Sequence, residues 1–218
     1  MADDDQDLAV FRWPAPGINI LDGDNDEKYL ALLEWQNSPD MRAYGYISGF
    51  RMAAQLMFDH VKETGMGQDS LVFPFGLCWR HHMELQLKNL LITLQRYHRE
   101  PRKAPSTHDL EKLWKAVHPR LEKARPEDDP ADLDSVEAML MQLHAADGSA
   151  QEFRYATKND KTPSLGGVPS IDLAAFHDAM IRLSNFFDGA DTAVDEDRHQ
   201  RNEYEDWLRS EAEGWGDG

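Results

Sequence analysis

Apolar residues at intervals of three and four recur along most of this 218-residue chain, and hardly any of it alternates as a half-buried strand does. One such stripe holds Tyr46, Phe50, Ala53, Ala54, Met57, Phe58 and Val61, and Thr64-Gly65-Met66-Gly67 ends it. A second begins around Leu77 and runs to about His98 through Met83, Leu87, Leu90, Leu91 and Leu94. Leu110, Leu113, Trp114, Val117 and Leu121 make a third, Leu133, Val136, Leu140 and Leu143 a fourth, and Leu173, Phe176, Met180, Leu183 and Phe187 a fifth. Each stripe gives a helix one apolar face that must be buried against another helix. The chain is therefore expected to be all-α: an up-and-down helical bundle of five or six helices, with a short extended N-terminal lead-in and an acidic C-terminal tail.

Punctuation sets the boundaries. Leu8–Trp13 and Ile18–Leu21 read as two short extended pieces around a Pro/Gly turn. Tyr29 through Trp35 predicts a short helix, and Asn37-Ser38-Pro39-Asp40 supplies the next cap. Pro74 and Gly76 disfavour a helix interior, which places the start of the second long helix after them. Ser106-Thr107-His108-Asp109 has the spacing of a helix start, Gln151–Thr157 reads as a short extended segment, and the last strong helix spans 171–187. The expected organisation is a lead-in at 1–28, a bundle at 29–187 and a partly disordered or helical tail at 188–218.

No apolar run approaches the roughly 18–20 residues of a membrane span, and Met1-Ala-Asp-Asp-Asp lacks the pattern of a secretory signal, so a cytoplasmic protein away from membranes is expected. Cys78 stands alone, which excludes an intrachain disulfide. The net charge of −17 is unevenly spread. Eight acids against Arg12 and Lys28 give −6 over residues 1–28, and eleven acids against three arginines give −8 over 188–218. Residues 78–125 hold eleven Lys/Arg against five Asp/Glu, or +6. A basic centre between acidic ends is either the sum of dispersed surface charges or an anion-binding face, with the tail as a tethered competitor for it.

Arg80, Glu84 and Lys88 follow one another at four-residue intervals on an otherwise apolar helix, with His81 beside them. Such a row is either a surface ladder of ion pairs or, because the helix around it is so apolar, half-buried and held in a network. His108 and Asp109 open the next helix after a basic loop containing Arg102 and Lys103, where a phosphate would meet unpaired backbone N–H groups. No zincin, P-loop, serine-hydrolase or dinucleotide-binding motif occurs, and neither a metal nor a cofactor is expected.

Trp79-Arg-His-His-Met-Glu-Leu-Gln-Leu-Lys-Asn-Leu-Leu, then Ser106-Thr-His-Asp-Leu-Glu-Lys-Leu-Trp, then Phe153-Arg-Tyr, in that order over residues 42–187, resemble the HEPN superfamily of helical domains. The resemblance implies a helical bundle that often dimerises and serves toxin–antitoxin, anti-phage or RNA-processing systems. It implies binding of RNA, a nucleotide or a partner protein such as an antitoxin, through Arg80, His81, Lys88, Arg102, Lys103, His108 and Arg154. Glu84, Asp109 and Tyr155 would form the supporting network. Many members are metal-independent ribonucleases with an arginine, four to six residues, and a histidine. Arg102 and His108 meet that spacing, and Arg80 or Arg102 would then stabilise the transition state while His108 moves the proton. A purely structural homodimeric all-α protein is the further alternative.

Overall fold

In the computed structural model of this chain the described residues are 14, 16–17, 21, 27–34, 37–103 and 105–214. They divide into two units, Met1–Asn37 and Ser38–Gly218. In the first, the predicted helix at 29–35 is replaced by a single 3-10 turn, Glu27–Tyr29, and residues 30–34 are not helical. Leu30, Leu32 and Leu33 are exposed, so no buried face offsets the cost of nucleating so short a helix. The predicted extended pieces at 8–13 and 18–21 lie, but for Leu21, outside the described residues, as does Trp35.

The second unit is all-α, with five helices among the described residues: α1 (Pro39–Thr64), α2 (Gln68–Tyr97), α3 (Leu110–Ala124), α4 (Pro130–Ala146) and α5 (Leu173–Gly214). None is long and apolar enough to cross a membrane. Local chemistry fixes the helix ends. Ser38 Oγ accepts from the Met41 N–H at 3.1 Å with Pro39 in the first turn, and Gly65 closes α1 in the left-handed region at φ 65°. α3 is capped by Asp109, whose Oδ1 accepts from the Lys112 N–H at 3.0 Å, and not by Ser106. Asp129 and Asp172 cap α4 and α5 in the same way.

α2 is the central element and packs against α1, α3 and α5, while α3 and α5 also pack against α4. Trp79, Met83, Leu87, Leu90 and Leu94 of α2 meet Leu110, Leu113, Trp114 and Val117 of α3, Leu140 of α4, and Leu183, Phe187 and Val194 of α5 in one buried core. Each large apolar side chain buried there contributes about 1.5–3 kcal/mol.

Three boundaries differ from the sequence reading. α2 starts at Gln68 and runs through Pro74 and Gly76. Tertiary packing overrides local propensity: Phe75 is buried, and a Cβ at Gly76 would come within 2.4 Å of the Phe153 ring, so the glycine is there to admit Phe153. Residues 151–157 form turns, with one isolated bridge between Thr157 and Pro163, because the buried Asp147 Oδ1 accepts from the N–H groups of Gln151 and Glu152 at 2.8 and 3.1 Å. α5 continues 27 residues past Phe187, to Gly214, since Asp188, Asp191, Val194, Arg198 and Arg201 all find partners or burial on that path.

Candidate functional site

The charged row on α2 is buried more deeply than its sequence implies. Arg80 and Glu84 are each 1% exposed, and Arg80 Nη1 donates to Glu84 Oε2 at 2.7 Å. Arg80 Nε donates to the Asp147 carbonyl at 3.2 Å, and Nη2 donates to the His108 carbonyl. Glu84 Oε1 accepts from Lys88 Nζ at 2.7 Å and meets His108 Nδ1 at 2.8 Å. Burial pushes the Glu84 carboxyl up, but the bonds from Lys88 and His108 and the charge of Arg80 more than offset it, and its pKa is lowered. The group therefore ties α2 to the start of α3 and the end of α4. With all three of its nitrogens engaged, Arg80 has no face to offer a phosphate or a reacting group.

The other residues singled out by sequence scatter. The ring of His81 packs edge-on against Phe50 with centroids 4.5 Å apart, and burial lowers its pKa. Lys88 and His108 reach the surface from the row, His108 with 67% of its side chain exposed. Asp109 is spent on the α3 cap. Lys103 is held by its backbone, which exchanges two hydrogen bonds with the Gln95 side chain. Arg154 and Tyr155 are exposed on the 151–157 turns, and Arg102 lies in a different place.

That place is the end of a seam that sequence reasoning passed over. On α2, His82, Gln86, Asn89, Thr93 and Arg96 recur at alternating intervals of four and three, all polar, and face α5. On α5, Ser184, Asp188, Asp191, Asp195, Arg198 and Asn202 recur in the same way. Gln86 Nε2 donates to the Ser184 carbonyl at 3.1 Å and to Asp188 Oδ1 at 2.8 Å, and Asn89 Nδ2 donates to Asp191 Oδ2 at 3.0 Å. His82 Nδ1 lies 2.9 Å from the Ile47 carbonyl, which can only accept, so Nδ1 carries the proton and Nε2 accepts from Ser184 Oγ at 2.8 Å. Burial pushes the His82 pKa down to about 4, keeping it neutral. Ser184 is fully buried, so this serine–histidine pair is a joint between helices and no substrate carbonyl can reach it.

The seam opens into two clefts that share Arg96. The first, about 270 Å³, is lined by Asp40, Asp188, Asp191 and Asp195 with Tyr44, Asn89 and Thr93. Burial, and then repulsion by Asp195 and Asp188, raise the Asp191 pKa. The second, about 340 Å³, is lined by Arg96, Arg99, Arg102, Arg198 and Arg201 with Glu100 and Asn202. α2 ends there in a Schellman turn in which the Arg99 N–H reaches the Arg96 carbonyl and the Glu100 N–H reaches the Gln95 carbonyl. The left-handed position of that turn, φ 58°, is taken by Arg99 where glycine is usual. Arg201 donates to the Tyr97 carbonyl at 2.7 Å and lies over the Tyr97 ring at 4.7 Å. Arg96 pairs with Asp40 at 2.6 Å, Arg99 with Glu205 at 2.5 Å and Arg198 with Asp195 at 2.8 Å. Among the described residues Arg102 has no such partner.

For a metal, the described residues offer one grouping, Asp109, Glu111 and His144, within 4.8 Å of one another. Asp109 and Glu111 are already bonded to Lys112 and Lys115, and the positive end of α3 lies beside them, which disfavours a cation. No family model, curated protein or solved structure matches this chain.

Proposed function

We propose that this chain is a HEPN-like helical module that works by binding phosphate-bearing ligands, single-stranded RNA or nucleotides, in a toxin–antitoxin or anti-phage setting. The observation that carries the reading is the convergence of five arginines from two helices and one loop on a single cleft, in a protein whose net charge is −17. A guanidinium offers five N–H donors in a planar fork suited to phosphate, and one carboxylate partner uses only some of them. The test is fluorescence anisotropy with single-stranded RNA. Arg99→Gln/Arg102→Gln is expected to weaken binding at least tenfold and to lower the salt slope by about two. Unchanged affinity and slope would overturn the reading.

A second reading, a metal-independent ribonuclease, is favoured by one observation: the Glu84 carboxylate sits on Nδ1 of the exposed His108, as an orienting acid sits on a catalytic histidine. Cleavage of labelled RNA in EDTA that disappears in His108→Ala would support it, and intact RNA would remove it. A homodimer belongs to the first reading, since Met41, Met52 and Leu56 leave one side of α1 apolar and exposed. Sedimentation giving a monomer at tens of micromolar would remove the dimer alone.

A further inference from the structure

We infer that the arginine cleft takes a terminal phosphomonoester, the dianionic end of an RNA strand or of a nucleotide, in preference to the diester of a passing strand. The inference rests on the phosphate-binding reading above and names the chemistry of its ligand.

Charge is the first argument. Counted with their ion-pair partners, the cleft's arginines and Arg120, which pairs with Glu100, face four carboxylates: Asp40, Glu100, Asp195 and Glu205. Six guanidiniums against four carboxylates leave two positive charges, which one phosphomonoester neutralises, since its charge near pH 7 is about −1.5 to −2. A diester brings only about one negative charge, and a track for several diesters needs a longer run of unpaired cations.

Position is the second. Immediately past Arg96 the seam turns acidic, with Asp191 and, beyond it, Asp188 paired with Arg51 on the α5 side. A strand leaving the arginines in that direction would set its next phosphate against carboxylates in a partly buried cleft, where like charges repel more strongly than in water. The strand therefore does not continue from the arginines along the seam. Donor supply is the third. Arg99 and Arg102 are exposed at the cleft, Glu205 takes only Nη2 of Arg99, and a monoester's three free oxygens accept more donors than a diester's two.

The experiment titrates the full chain with one RNA sequence carrying a 5′-phosphate, a 3′-phosphate or hydroxyls at both ends, and with a nucleoside 5′-monophosphate. At least one phosphate-ended form is expected to bind tenfold or more tightly than the hydroxyl-ended form, and the preferred end identifies the source. The preference should vanish in Arg99→Gln/Arg102→Gln, whose melting temperature should match the parent because both side chains are exposed. Equal affinity for all three RNAs, lowered equally by the variant, would overturn the terminal-phosphate inference and leave RNA binding standing. Binding of the mononucleotide with no RNA binding would do the reverse. Failure of every ligand to bind would overturn both.

Discussion

Among the described residues, Arg80 and Glu84 differ from the other ion pairs in that both partners are buried, with no water to replace a lost one. Glu84→Ala leaves a buried guanidinium uncompensated and is expected to cost on the order of 3–5 kcal/mol, whereas Glu111→Ala, which breaks the solvent-exposed pair with Lys115, should leave stability nearly unchanged. Denaturant unfolding of Glu84→Ala and Glu111→Ala checks this. Because the folded Glu84 pKa is lowered, its stabilisation is present above the ordinary value of 4.5 and is lost as pH falls through the folded value. For His82, held neutral down to about pH 4, the unfolded chain takes up a proton first, so stability falls as pH drops from 6.5 to about 4. A histidine NMR titration should find His82 neutral at pH 5.5, and a protonated ring there would contradict its placement. Arg99 makes the opposite point: glycine relieves the left-handed strain, so Arg99→Gly should hold or raise stability, by up to about 1 kcal/mol, while weakening RNA binding.

At the scale of elements, the apolar stripes at period 3.6 were enough to read all five helices of the second unit and the all-α class, since that pattern is what buries a helix face. The misplaced ends have separate physical causes. Pro74 and Gly76 obey local rules that the packing of Phe75 and Phe153 overrules, and Gly76→Ala should therefore cost about 1–3 kcal/mol by overpacking despite its better helix propensity. The Arg80, Glu84, Lys88 row was legible because alternating charges stand out on an apolar helix. The stripe at His82, Gln86, Asn89, Thr93 and Arg96 was equally regular, but its meaning lies in a matching stripe about a hundred residues later, and pairing across that distance is not written in either helix alone. Asp191 provides a check on the seam. Its raised pKa reflects burial among like charges, so Asp191→Asn, which keeps an acceptor for Asn89, should raise stability at pH 7 by roughly 1 kcal/mol in thermal unfolding. A loss of that size would mean that the carboxylate is not in the repulsive setting described.

For the whole molecule, the uneven charge takes a form other than a basic centre with a loose acidic tail. The region after Phe187 is the rest of α5, and it brings Arg198 and Arg201 to the cleft together with Asp195 and Glu205. A chain ending at Phe187 is therefore expected to lose RNA affinity, where a tethered competitor would have raised it on removal, and to lose stability with the buried Val194. The same geometry separates a built site from diffuse positive charge. Lys112 and Lys115 lie in the same +6 stretch of sequence, are each 71% exposed, and stand on α3 away from the cleft. The most direct measurement compares the RNA affinity and salt slope of Arg99→Gln/Arg102→Gln with those of Lys112→Gln/Lys115→Gln, two variants of equal charge change. A loss of tenfold or more in the first and less than about threefold in the second is the result predicted. Equal losses in both would show that the arginines act only as general surface charge, and would contradict the cleft as the place where this protein meets phosphate.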